Sequence, residues 1–128
     1  MANPMLDVAD ATVAFTAPGG PVVRAVDGVS VAVPEGTFVV VIGTNGSGKS
    51  TLLGAVAGTV RLDSGSIRIA GRDVTRLGEA ARARHVGRVF QDPRAGTAAS
   101  LTVLENLAVA ACRGRRAGLG WATGSRLR

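Results

Sequence analysis

The chain has 128 residues, enough for one domain with an apolar core and too few for two. Apolar residues make up 46% of the sequence, which argues against a disordered chain, and a single cysteine excludes an internal disulfide framework. The formal net charge is +6, and Lys49 is the only lysine, so every other basic side chain apart from the one histidine is an arginine. The start has no signal-peptide pattern and the apolar runs are too short to span a bilayer, so the sequence predicts a cytosolic protein.

The first third of the chain has the pattern of a β-hairpin followed by a buried strand. Apolar residues alternate from Leu6 to Phe15 and again over residues 22–33, and a Pro- and Gly-rich turn separates the two segments. After a second turn at residues 34–36, residues 37–42 form a continuous run of β-branched and aromatic residues. Such a run is typical of a strand that is buried on both faces, as in a parallel sheet.

The rest of the chain alternates between predicted helices and short strands. The patterns predict a helix over 50–58, a turn at 63–65, a strand over 66–70, a helix over 80–84, a strand over 86–90 and a loop over 94–100. Thr102 and Glu105 match a capping box, in which each side chain accepts a hydrogen bond from the other residue's backbone N–H. The helix that they begin is predicted to run to about Cys112.

The segment from Gly43 to Ser50 reads Gly, four residues, Gly-Lys-Ser, and lies between the predicted buried strand and the following helix. Glycines let the backbone turn tightly, so that successive N–H groups and the helix N-terminus can point at one anion. In this pattern Lys49 reaches the β- and γ-phosphates of a nucleotide and the Ser50 hydroxyl ligates Mg²⁺. The other residues expected to contact phosphate are Gly43, Asn45, Gly46, Ser47, Gly48 and Thr51.

Many nucleotide-binding families share this loop, but the flanking landmarks are more specific. They are VDGVSV at 26–31, PEG at 34–36, VIGTNGSGKSTLL at 41–53, DSGSI at 63–67, AGRDV at 70–74, VFQDP at 89–93 and LTVLENLA at 101–108. In this order and spacing they resemble the beginning of an ATP-binding cassette (ABC) ATPase, in particular that of bacterial importers of the amino-acid type. The resemblance implies an α/β P-loop NTPase fold: an incomplete ABC ATPase core with an N-terminal antiparallel β subdomain and the start of a helical subdomain.

The resemblance also assigns roles to two residues outside the loop. Phe15 stands where an aromatic side chain stacks on adenine in such ATPases, although a core aromatic at a strand end would have the same pattern. Gln91 matches the family's Q-loop glutamine, which approaches Mg²⁺ and the attacking water; a polar residue closing a strand is the alternative. Lys49 and Gln91 are therefore the expected catalytic residues, Ser50 and Gln91 the expected metal ligands, and ATP and Mg²⁺ the expected cofactors.

The resemblance covers only part of the family's pattern. Neither a Leu-Ser-Gly-Gly-Gln-like signature nor the acidic strand that holds Mg²⁺ is found, so residues 1–128 are expected to form a partial nucleotide-binding domain. Such a chain is expected to bind nucleotide and not to hydrolyse it alone. The implied partners are transmembrane permease subunits, a second nucleotide-binding domain and, for an importer, a solute-binding protein, at the cytoplasmic face of the membrane.

Two other functions remain open from the residues. The positive charge would suit a soluble ABC protein that acts on nucleic acid or ribosomes. Those proteins usually carry two cassettes or long insertions, which this sequence lacks, so no nucleic-acid partner is expected. The missing carboxylates would also suit an inactive remnant of a transporter ATPase.

Overall fold

The computed structural model describes residues 4–112, which fall into two compact units divided after Arg82. The first unit contains all the strands of the described part of the chain, and the second contains a short 3-10 helix and one α-helix. In chain order the elements are β1 (Leu6–Thr16), β2 (Val22–Val33), α1 (Lys49–Ala57), β3 (Ser64–Ile69), β4 (Arg72–Asp73), α2 (Glu79–Arg82), the 3-10 helix (Pro93–Gly96) and α3 (Val103–Ala111).

The first unit is built on an antiparallel sheet with the strand order β2-β1-β3-β4. The predicted hairpin is confirmed: β1 and β2 pair along their whole length, from Leu6 opposite Val33 to Thr16 opposite Val22. The register shifts near the middle of β1, where Asp10 has a φ of 48° and interrupts the alternation. The predicted strand over 66–70 is also present, as β3.

Apolar residues of the sheet and of α1, with Val74 just after β4, form the core of the first unit. The buried apolar residues are Val8, Ala11, Val13, Val26, Ala55, Ala57, Ile67, Ile69 and Val74. They are aliphatic without exception, as the scarcity of aromatic residues requires. Only small residues of α1 are fully buried, and small side chains let a helix lie close to its neighbours.

The turn predicted at 63–65 is wrong for two of its three residues, because Ser64 and Gly65 belong to β3. Gly65 has a φ of +90°, and a Cβ atom there would meet the carbonyl oxygens of Ala9 and Asp10. The glycine therefore permits a close approach between β3 and the irregular part of β1, rather than a reversal of the chain.

The two strands predicted over 37–42 and 86–90 are wrong, since neither segment has strand structure. The side chains of Phe38 and Ile42 are 90% and 87% exposed, and that of Val89 is 96% exposed. A buried parallel strand exists only when neighbouring strands accept its hydrogen bonds. Nothing between residues 4 and 112 pairs with either segment.

The helix predictions hold better, because caps and turns within a few residues decide where helices begin and end. The first helix ends at Gly58, whose φ of 87° is the left-handed conformation that glycine favours. The helix predicted over 80–84 is shifted and shorter, and it ends at Arg82, whose side chain is buried.

The capping box of α3 is present as predicted. The Thr102 hydroxyl accepts a hydrogen bond from the Glu105 N–H at 3.3 Å, and the Glu105 carboxylate accepts one from the Thr102 N–H at 2.8 Å. The backbone N–H of Thr102, followed by its hydroxyl, lowers the pKa of Glu105 because both bonds favour the ionised carboxylate. No helix within residues 4–112 is both long enough and apolar enough to cross a membrane.

Candidate functional site

The glycine-rich loop before α1 turns tightly and leads directly into the helix. Gly46 and Gly48 have φ values of 83° and 86°, in the left-handed region that other residues rarely adopt. One turn hydrogen bond closes the loop, from the Ser47 N–H to the Thr44 carbonyl at 3.3 Å. These two glycines are therefore required by the backbone conformation.

The loop lies directly against β2 at Gly48. A Cβ atom built on Gly48 would overlap the carbonyl oxygen of Ala25, and one built on Gly43 would lie 2.7 Å from the Ser47 hydroxyl oxygen. Gly48 has no room for a side chain because the obstacle is backbone, whereas a side chain at Gly43 would require the Ser47 hydroxyl to move. The contact with Ala25 fixes the place at which α1 begins relative to the sheet.

The Lys49 ammonium lies over the loop. Its Nζ donates hydrogen bonds to the carbonyl oxygens of Gly43 at 2.8 Å and Thr44 at 2.6 Å, and to the Ser47 hydroxyl at 3.3 Å. These bonds use all three donors of the ammonium and place its charge inside the turn. Because an anion is a stronger acceptor than a carbonyl or a hydroxyl, an anion in the loop can take over part of these bonds.

The start of α1 is open to an anion. Gly48 occupies the N-cap position and has no side chain, so no side-chain oxygen accepts the first N–H groups of the helix. The positive end of the helix dipole lies at the same place. Ser50 is exposed on the first turn, Thr51 is half-buried beside it, and Asn45 is exposed on the loop. The residues expected to contact phosphate are thus brought together.

A cleft of about 460 Å³ opens between β2 and this loop. Its walls come from residues 24–27 and 29 of β2, from residues 41–44, 47 and 48 of the loop, and from residues 49 and 52 of α1. In its wall, Arg24 and Asp27 form an exposed ion pair at 3.3 Å, which contributes little to stability because solvent screens it.

Phe15 lies at the end of β1, opposite Val23 of β2, and its ring is 51% exposed. Val23 is two residues along β2 from Ala25, the residue that touches the loop, a distance of about 7 Å along a strand. The ring is outside the walls of the cleft and in the same unit as the loop. Its exposure leaves one face available for contact.

Gln91 belongs to the second unit, where its side chain is exposed. Just before it, the Arg88 guanidinium lies 4.7 Å from the centre of the Phe90 ring, a cation–π contact. Just after it, the Asp92 carboxylate accepts the Arg94 N–H at 2.9 Å and caps the 3-10 helix. Gln91 therefore lies between these two local contacts, and its side-chain amide takes part in neither of them.

Sequence reasoning missed two features of the first unit. The Ala25 carbonyl supports the loop through its backbone, which no side-chain pattern can reveal. The second feature is the burial of Arg82. The basic stretch at 80–84 would usually indicate a solvated face, yet this arginine is buried. In the part of the chain that the structure describes, no group of three or more His, Cys, Asp or Glu side chains could hold a metal ion.

Known proteins with similar sequences and folds carry the same kind of domain. The family model described as "ABC transporter" matches residues 26–126. A tyrosine transport ATP-binding protein of Clostridioides difficile is 40% identical over 111 residues, which are 87% of this chain and 44% of that protein. A probable branched-chain amino acid transport ATP-binding protein of Methanocaldococcus jannaschii is 41% identical over 88 residues, or 67% of this chain and 33% of that protein.

Among solved structures, a dimeric ATP-binding cassette bound to ADP and phosphate superposes with a TM-score of 0.74 at 25% identity. The match covers 90% of this chain and 50% of that one. The chain thus spans about half the length of the cassettes that it matches, and its fold is that of an ABC-type P-loop NTPase. The chain belongs to the ABC transporter family.

Proposed function

We propose that this chain binds ATP with Mg²⁺ at residues 43–51 and serves as part of the ATP-binding subunit of an ABC transporter. The observation that carries the proposal is the loop itself, in which Lys49 and the uncapped start of α1 lie around one turn. Positive charge and free N–H groups that converge on one place are what a nucleotide's phosphates require.

Within this site Lys49 neutralises the β- and γ-phosphates, and the N–H groups of the loop and first turn donate to the phosphate oxygens. The contacting residues are Gly43, Asn45, Gly46, Ser47, Gly48, Lys49, Ser50 and Thr51. The residues present fit a magnesium ion, because Mg²⁺ in nucleotide sites takes phosphate oxygens and waters and needs few protein ligands. The exposed Ser50 hydroxyl supplies one of them.

We propose Gln91 as the second protein ligand of Mg²⁺, through its amide oxygen. The same oxygen would accept a hydrogen bond from the attacking water. Its exposed side chain and its place in the VFQDP sequence support this role. The complete subunit is proposed to hydrolyse ATP. Hydrolysis also needs a carboxylate to hold the metal, and neither residues 43–51 nor Gln91 supplies one.

The proposed partners are a transmembrane permease and a second nucleotide-binding domain, at the cytoplasmic face of the membrane. The name of the Clostridioides difficile relative supports an amino acid as the transported solute, with a solute-binding protein as a further partner. The dimeric cassette with ADP and phosphate supports pairing of two such domains.

The only lysine of the chain permits a direct test. In the full chain, MgATP should slow acetylation of Lys49 by an amine-selective reagent, because phosphates cover the ammonium. At a nucleotide concentration ten times Kd, only about one site in ten stays empty. The acetylation of Lys49 should therefore be roughly tenfold slower than without nucleotide. Peptide mass spectrometry measures acetylation at Lys49 separately from the N-terminal amine.

The N-terminal amine and adenosine are the controls for this experiment. MgATP should leave the rate at the N-terminal amine unchanged, and adenosine, which has no phosphate, should leave the rate at Lys49 unchanged. Equal acetylation of Lys49 with and without MgATP, up to millimolar nucleotide, would refute binding at this loop.

Phe15 is proposed to stack on the adenine ring. Replacing it with alanine should then weaken MgATP binding about tenfold, because stacking of one base on an aromatic side chain contributes about 1–3 kcal/mol. Phe15→Trp keeps a flat face and should bind MgATP within a factor of about two of the original chain. Calorimetric titration measures both affinities.

Triphosphate without a base separates stacking from a general loss of the site. The Phe15→Ala chain should bind magnesium tripolyphosphate as well as the original chain does. If Phe15→Ala weakens tripolyphosphate and ATP equally, Phe15 supports the fold of the hairpin and does not contact adenine.

A further inference from the structure

Arg82, the last residue of α2, is a charged side chain in the interior of the first unit, with only 2% of its surface exposed. Its guanidinium donates four hydrogen bonds, all to backbone carbonyl oxygens. The acceptors are Leu77 at 2.8 Å from Nε, Ala55 at 2.5 Å and Val56 at 2.9 Å from one terminal nitrogen, and Thr75 at 3.0 Å from the other.

Two of these acceptors belong to the last turn of α1. Helix ends leave carbonyl groups without partners inside the helix, and Arg82 reaches the carbonyls of Ala55 and Val56 from 27 and 26 residues away. The Gly58 N–H donates to the Gly54 carbonyl at 2.9 Å and more weakly to the Ala55 carbonyl at 3.3 Å, so Arg82 shares the Ala55 acceptor with it. The chain around Arg82 packs closely on this end, since a Cβ on Gly58 would lie 3.0 Å from the Glu79 nitrogen.

The charge of Arg82 lies beside the end of α1 and within the field of Asp73. No carboxylate within the described residues lies at ion-pair distance from its guanidinium, and the carbonyls that it contacts on α1 lie at the negative end of the helix dipole. Burial lowers the pKa of the guanidinium, and the negative charge of Asp73 acts in the opposite direction. The group stays charged at neutral pH, because arginine does not lose its proton in proteins.

The opposite end of α1 carries the phosphate-binding loop. The helix has nine residues, which is too short to be stable without tertiary contacts. At its N-terminal end the contact between Gly48 and the Ala25 carbonyl holds it, and at its C-terminal end Arg82 does. The direction of the first-turn N–H groups depends on both contacts.

We propose that Arg82 is a positioning residue for nucleotide binding, which fixes α1 from its C-terminal end and so keeps the first-turn N–H groups aimed at the phosphates. This inference rests on the proposed binding of ATP at the loop. It predicts a loss of affinity in folded protein, and not merely a loss of stability.

The test compares Arg82→Met and Arg82→Lys with Val8→Ala in the full chain, at a temperature where circular dichroism shows all of them folded. Arg82→Met removes the charge and all four bonds, and should raise the Kd for MgATP about fivefold to tenfold, because the binding-competent helix is less populated. Arg82→Lys keeps the charge with fewer donors and should recover part of the affinity.

Val8→Ala is the matched control. Val8 is buried in β1, at the end of the strand away from Phe15, and its truncation opens a cavity in the core at a residue outside the loop and α1. It should lower the melting temperature and leave the Kd unchanged. If Arg82→Met lowers the melting temperature as much and also leaves the Kd unchanged, Arg82 has a structural role only and the proposal is wrong.

A measurement on the original chain covers the case in which the Arg82 variants do not fold. The Nε–H of a buried, hydrogen-bonded arginine gives its own nitrogen-15 resonance, and saturating MgATP should shift that of Arg82 if the two ends of α1 are coupled. An unchanged Arg82 resonance, with shifts at the loop amides, would overturn the proposal. No shift anywhere would instead show that the loop does not bind ATP.

Discussion

Lys49→Ala should weaken MgATP binding by the full chain about 10- to 100-fold, as expected when a charged donor to phosphate is lost. The ammonium lies inside the turn and contacts the carbonyls of Gly43 and Thr44, so no other side chain of the loop can replace its charge. Calorimetric titration with MgATP measures the change in Kd.

Lys49→Arg provides the control for this substitution. It keeps the positive charge, but a planar guanidinium is larger than an ammonium and cannot make the same three bonds within the turn. Its affinity should lie between those of the original chain and Lys49→Ala. An unchanged Kd in Lys49→Ala would contradict the assignment of the phosphates to this loop.

Gly48→Ala should abolish measurable MgATP binding. The added Cβ would overlap the carbonyl oxygen of Ala25, and the φ of 86° adds a conformational cost of about 1–2 kcal/mol for a non-glycine residue. The start of α1 must then move away from β2, which redirects the first-turn N–H groups. Titration of the variant with MgATP, beside its melting temperature, measures the effect.

Gly46→Ala is the matched control, because Gly46 has nearly the same φ of 83° but no atom within 4 Å of the place where the methyl group would lie. It bears the conformational cost without the collision and should lose only about tenfold in affinity. Equal losses in the two variants would show that φ alone matters and that the contact with Ala25 does not position the helix.

Features set by neighbouring residues could be predicted from the sequence. The glycine that ends α1 and the capping box of α3 each depend on residues within a few positions of one another, and the hairpin of β1 and β2 follows from two alternating segments joined by a short turn. The phosphate-loop residues could also be predicted to lie together, because they are consecutive in a short loop and the helix that follows it.

Features that depend on distant partners could not be predicted. The apolar run at 37–42 has the composition of a buried strand, but a strand also needs neighbours to bond with, and none of the described residues supplies them. Arg82 is similar: nothing in its sequence context distinguishes it from the exposed Arg84, and only the carbonyls of Ala55 and Val56, far away in the chain, explain its burial.

The apolar segment at 37–42 also has a consequence for the protein's solubility. It contains Phe38, three valines and Ile42, with no charge and no proline, and it lies exposed without a partner strand among the described residues. Short segments of this kind readily form intermolecular β-sheets. We therefore expect the solubility of the free chain to be limited by contacts between such segments, and a charged residue placed at position 40 to raise it.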